Sequence, residues 1–142
     1  LPHHYGHEAA SARRARAVSE RLKAPTECRD LAEMVAREHG ILARAEALRP
    51  ETMVKLIERC DGLRRPERFE LMLQAAACDH AGRGGQTHGD WRPLSHWRAA
   101  LAAVRAIDAA TIARSCSDKK DIPDALHAAR VAAVKARNKD PK

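Results

Sequence analysis

Aromatic side chains are scarce in this 142-residue chain, which has two tryptophans, one tyrosine and one phenylalanine. Tyr5, Phe69, Trp91 and Trp97 cannot fill an interior, so any core must be built mostly from Leu, Ala, Ile, Val and Met. Cysteine is also sparse. Cys28, Cys60, Cys78 and Cys116 stand far apart with no C-x-x-C pair, which argues against a zinc ribbon. Each falls in a segment of helical period and is expected to be a buried thiol in a reducing cytoplasm. No apolar run approaches the ~20 residues needed to cross a bilayer, so no membrane partner is expected. No secretory signal opens the chain either, which again points to the cytoplasm. Convincing strand alternation is missing throughout.

The chain has basic residues in excess: 26 Lys and Arg against 19 Asp and Glu, a formal charge of +7. Such an excess favours a polyanionic partner without proving one, because arginine-rich composition alone can produce it. Alanine and arginine dominate, and both favour helix. The length suits one domain or one arm of a larger protein.

The expected fold class is all-α. A first helix follows Gly6 and runs to about Leu22, with Ala15, Val18 and Leu22 on one face. Pro25 breaks the chain, and Thr26 is a suitable cap for a second helix striped by Cys28, Leu31 and Val35. His39 continues that face, and Gly40 supplies the stop. Pro50 starts a third helix, in which Met53, Leu56, Ile57 and Cys60 recur at i, i+3, i+4 and i+7. Pro66 starts a fourth, with Phe69, Met72, Leu73 and Ala76 inward and Asp79 expected on the same side. The stretch GRGGQTHGDWRP reads as a Gly-rich loop or linker. A fifth helix then carries Leu94, Trp97, Leu101 and Val104. A short sixth begins at the potential cap Asp108, with Ile112 and Cys116 inward. A last helix from about Asp121–Pro123 carries Ile122, Leu126, Ala129 and Ala133. The tail KARNKDPK is charged and expected to fray. The divisions are 1–82, the linker 83–93 and a smaller helical tail lobe 94–142, which could also pack as one body.

His39 and Asp79 are the polar residues placed on apolar faces. A histidine at the end of a helix is commonly a satisfied core residue. An inward carboxylate is harder to dismiss, because it needs an arginine, a helix N-terminus or a metal. His3, His4 and His7 add imidazoles from a third segment, interrupted by Pro2, Tyr5 and Gly6 in a way that a purification tag would not be. Such ligands suit several divalent metals, but no compact box such as H-E-x-x-H is present. Arg64, Arg65 and Arg68 cluster around Pro66 at a helix start, either as a phosphate-contact point or as a solvated turn. Arg13, Arg14 and Arg16 spread too widely around their helix to form one stripe. His80, His88, His96 and His127 read as surface or cap residues.

Taken in order, LPHHYGHE, CRDLAEMVAREHG, LRPETMVKLIERCDGLRRPERF and ACDHAGR resemble part of the C-terminal half of bacterial CCA-adding tRNA nucleotidyltransferases. The similarity is to the multifunctional kind that carries an HD phosphohydrolase domain. It is strongest over residues 1–85 and covers the rest in layout. The resemblance implies a parent enzyme that adds or repairs the 3′-terminal CCA of tRNA with CTP and ATP. It also implies a metal-dependent phosphodiesterase and phosphatase activity, with Mg or Ni as the divalent ion. Carried over by position, His7, His39 and Asp79 are candidates for metal-ligand or phosphate-contact roles; within the same picture, the basic cluster Arg64, Arg65 and Arg68 read above becomes the candidate RNA contact.

The departures bear on activity. No adjacent His-Asp doublet, no Asp-x-Asp pair and no Gly-Ser nucleotidyltransferase loop occurs. The expectation is a C-terminal fragment without the nucleotidyltransferase head, through which CTP and ATP would bind. Such a fragment should be inactive alone, bind metal weakly or not at all, contact tRNA, and could form a homodimer. The competing expectation is a helical interaction module with no catalytic ancestry.

Overall fold

The structure is a computed structural model and describes residues 6–82 and 91–137. The described residues form seven α-helices and no strand: α1 (His7–Arg21), α2 (Thr26–Leu42), α3 (Pro50–Arg59), α4 (Pro66–Gly82), α5 (Arg92–Arg105), α6 (Ala109–Ser115) and α7 (Ile122–Arg137). His3, His4, His88, the middle of the Gly-rich stretch and the end of the charged tail lie outside the described residues.

Burial is deepest on α3, the most strongly amphipathic helix, and on α4. Met53, Val54, Leu56 and Ile57 of α3 and Phe69, Met72, Leu73, Ala76 and Ala77 of α4 are all buried. One hydrophobic cluster runs from Leu42 through these residues to Trp91, Trp97, Ala100, Val104 and Val134. Trp97 is fully buried at its joint, and its indole N–H donates to the Leu42 carbonyl at 2.9 Å. The Trp97 ring meets Phe69 edge to face, with centroids 6.1 Å apart. Polar ties close the same seam. Glu58 of α3 receives Arg130 at 2.8 Å, and its other oxygen lies 3.1 Å from His127 Nδ1. His127, read from sequence as a surface or cap residue, therefore helps to join α7 to α3.

Several expectations are corrected. The second helix does not stop at Gly40 but runs on to Leu42. Trp91, read as linker, is buried, and Arg92 and Pro93 are the first turn of α5. On α1 only Ala12 is buried, whereas Val18 and Leu22 are exposed. That helix packs mainly on α2, and its small residues allow close approach where a leucine stripe would hold it off. Only Cys60 is a buried thiol; Cys28 and Cys78 are exposed and Cys116 is half-buried.

Asp79 is exposed rather than inward. At ~100° per residue, the arc centred on Phe69, Leu73 and Ala76 next turns inward at position 80. His80 is half-buried accordingly, with its ring 6.1 Å from Trp91.

Candidate functional site

Two of the three sequence-selected site residues come together. His7 opens α1 and His39 lies in the last turns of α2, and the antiparallel packing of these helices brings their rings to 6.1 Å, edge to face. His39 Nδ1 stands 3.1 Å from the Ala36 carbonyl oxygen. A carbonyl only accepts, so Nδ1 carries the proton and the neutral ring keeps its lone pair on Nε2.

Glu8 is a member of this site that sequence reasoning missed. One of its oxygens lies 3.6 Å from His7 Nδ1. The other stands 3.2 Å from where a Cβ on Gly40 would sit. Gly40 thus admits the carboxylate to the α1–α2 seam instead of ending the helix.

Asp79 lies exposed near the C-terminal end of α4. Among the described residues, no three His, Cys, Asp or Glu side chains are grouped to hold a metal ion, so His7, His39 and Asp79 do not make a three-ligand set by themselves.

The three arginines around Pro66 divide. Arg64 is largely exposed and Arg65 half-exposed, each loosely paired with Asp61 at 3.7 and 3.9 Å. Arg68 turns back instead, donating to the Cys60 carbonyl at 3.4 Å, and its Nε is enclosed without a partner. It borders a cleft of about 630 Å³ between α2 and α3, which Arg37, Arg59, Asp30, Glu33 and Glu38 also line. Glu38 is buried there and takes a two-pronged bond from Arg59, at 3.1 and 2.6 Å. The hydrogen bond to Glu38 raises the Arg59 pKa further. Burial pushes the Cys60 thiol up to about 11, so it is neutral at ordinary pH and a poor nucleophile. The Glu38–Arg59 pair escapes sequence reasoning because its residues lie 21 apart on different helices, beyond any local spacing rule.

The chain is 69% identical over 141 residues to a multifunctional CCA protein of Azoarcus sp., covering 99% of this chain and 34% of the relative. A multifunctional CCA protein of Aromatoleum aromaticum is 67% identical, over 100% of this chain and 35% of its own length. One from Janthinobacterium sp. is 47% identical, over 99% and 36%. The chain spans about a third of the length of the curated relatives it matches. No family model and no solved structure matches it.

Proposed function

From this kinship, a whole-chain relation to about a third of the multifunctional CCA proteins, we propose that the chain is the part of such an enzyme that pairs a phosphohydrolase wall with a tRNA-contacting surface. CCA addition itself, with its CTP and ATP, is assigned to the remaining two-thirds of the parent. The observation that carries the hydrolase part is the meeting of His7 and His39 across α1 and α2, with the lone pair of His39 fixed on Nε2. A carbonyl-held imidazole of this kind can accept a proton or donate to an electrophilic centre without first reorienting.

A divalent ion such as Mg²⁺ or Ni²⁺ does not fit the described residues alone. Two imidazoles fall short of the roughly four to six donors such ions take. The proposal therefore gives this chain one wall of a divided site, with Asp79 a candidate only if residues from elsewhere in the parent approach α4. No chemical step is assigned to the ion.

Arg64 and Arg65 are the proposed phosphate contacts, since they project from the α3–α4 turn with only loose carboxylate pairing. Arg68 is the weaker candidate because its guanidinium turns toward Cys60. The test is tRNA binding to the 142-residue chain across a salt series. Affinity should fall steeply as salt rises, and the Arg64→Ala/Arg65→Ala variant should lower the slope by about one for each phosphate no longer neutralised. Affinity flat in salt would remove the RNA reading. An unchanged slope in the double variant would remove these two arginines from the interface.

A further inference from the structure

We infer that the cleft between α2 and α3 is a phosphate-binding site, in which Arg68 draws in the phosphoryl oxygens and Arg37 and Arg59 flank them. The site is separate from the histidine pair and from Arg64 and Arg65, none of which lines the cleft.

The charges of the cleft are matched except at Arg68. Asp30, Glu33 and Glu38 line it together with Arg37, Arg59 and Arg68, so the formal charges cancel. Yet each carboxylate is already held. Glu38 takes two bonds from Arg59, at 3.1 and 2.6 Å, and Glu33 takes one from Arg37 at 2.7 Å. Asp30 lies 3.5 Å from Arg29, which does not line the cleft. Among the described residues, no carboxylate pairs with Arg68. Its bond to the Cys60 carbonyl is long at 3.4 Å, and its Nε is enclosed with no acceptor. Enclosed donors are nearly always satisfied, so this guanidinium has a standing demand for an acceptor. Cys60 offers no thiolate to meet it, because burial keeps the thiol neutral at ordinary pH.

A phosphate suits this set of donors. The guanidinium fork of Arg68 matches two phosphoryl oxygens, and further oxygens remain for neighbouring donors. Glu38 engages only Nε and Nη2 of Arg59, and Glu33 only Nη2 of Arg37, so both arginines keep N–H groups for them. Their side chains are 55% and 48% exposed for Arg37 and Arg59, so those groups can be reached from solvent. A carboxylate ligand would be used up by one fork, as Glu38 is by Arg59. A metal cation would be repelled by the unpaired guanidinium. At about 630 Å³ the cleft is of small-ligand size. Two sources carry the chemistry: the terminal phosphate of a small molecule and the diester phosphate of a strand.

The experiment follows the arginine Nε–H signals of the ¹⁵N-labelled chain during titration with inorganic phosphate, dimethyl phosphate or sodium chloride at matched ionic strength. Inorganic phosphate should shift Arg68 saturably and leave the exposed Arg105 of α5 in place. A response much tighter for inorganic than for dimethyl phosphate assigns the site to terminal phosphates, and equal responses assign it to strand diesters. Arg68→Lys keeps the charge but loses the fork, and should weaken binding by about tenfold, read on the Arg59 signal. Glu38→Gln releases Arg59 and removes a negative charge, so it should tighten binding severalfold. An Arg68 signal indifferent to both phosphates, or shifted equally by chloride, overturns the inference, as does unchanged affinity in Arg68→Lys. The wild-type spectra decide the first two outcomes even where a variant fails to fold. Failure here leaves the tRNA salt series standing, since that series reads Arg64 and Arg65. Conversely, tRNA affinity flat in salt leaves a saturable response to inorganic phosphate intact.

Discussion

Two glycines show how one residue type can be there for opposite reasons. A Cβ at Gly62 would stand 3.0 Å from the Phe69 ring and 3.2 Å from Ile57, both fully buried. Neither neighbour can yield without opening the core, so Gly62→Ala should cost about 1–3 kcal/mol of unfolding free energy. At Gly40 the neighbour is the tip of the flexible Glu8 side chain, while the site lies inside α2. There the helix gain of up to about 1 kcal/mol outweighs a small swing of the carboxylate, and Gly40→Ala should be neutral or stabilising. Urea denaturation of the two variants checks the opposed signs. Cys60 supplies a second residue-scale test. Its thiol is held up to about 11 by burial against an ordinary value of 9.0. The folded pKa lies above the unfolded one, so this stabilisation is complete below pH 9 and lost as pH rises toward 11. The loss is on the order of 2 kcal/mol. Cys60→Ala should flatten stability over that window. In thiol labelling at pH 8, Cys28 and Cys78 should react at once, and Cys60 only on unfolding.

Between elements, the tie with the largest consequence is Glu38 to Arg59, which joins α2 to α3. The carboxylate is buried, whereas the guanidinium side chain is 48% exposed, so the two halves are not equivalent. Arg59→Ala strands a buried charge and should cost on the order of 2–3 kcal/mol. Glu38→Gln leaves an arginine that can turn to water and should cost clearly less. Thermal melts of the two variants measure the asymmetry, and equal losses would show that water already reaches Glu38. What the sequence disclosed about the elements follows the same division between local and distant. α3 and α4 were readable because large apolar residues recur with helical spacing between proline starts. The face of α1 was not, because an alanine-rich helix offers no size contrast and Ala12 alone is fully buried. Asp79 misled because three residues after Ala76 is an inward step only when the buried arc is centred there. The candidate site was half legible. Family resemblance singled out His7 and His39, but their meeting, and the part of Glu8 in it, depends on how α1 lies on α2. No spacing within either helix encodes that.

Across the whole chain, the question is whether the helices before and after the Gly-rich stretch fold as one body. The buried cluster does not pause at the stretch: Leu42, Phe69 and Trp97 meet in it, and Val134 of α7 belongs to it. Glu58 binds α7 through Arg130, and the Arg137 guanidinium donates to the His96 carbonyl at 2.8 Å, pinning α7 to α5. Separating the two parts would expose Trp97 and Phe69 and break the indole bond to Leu42, a penalty neither part could offset alone. Unfolding should therefore be a single transition, with tryptophan fluorescence and far-ultraviolet circular dichroism giving the same urea midpoint. Trp97→Ala should lower that midpoint for both probes together, by an amount equivalent to about 3–5 kcal/mol. Midpoints that separate, or a Trp97→Ala variant that melts only the later helices, would show that the parts hold independently. The exception is α1, whose main partner is α2 and whose burial is slight. Its amides should exchange with solvent well before those of α3 and α4. That places His7 on a helix expected to open before α3 and α4 and His39 on a better anchored one, so the two rings should part while the core stays folded.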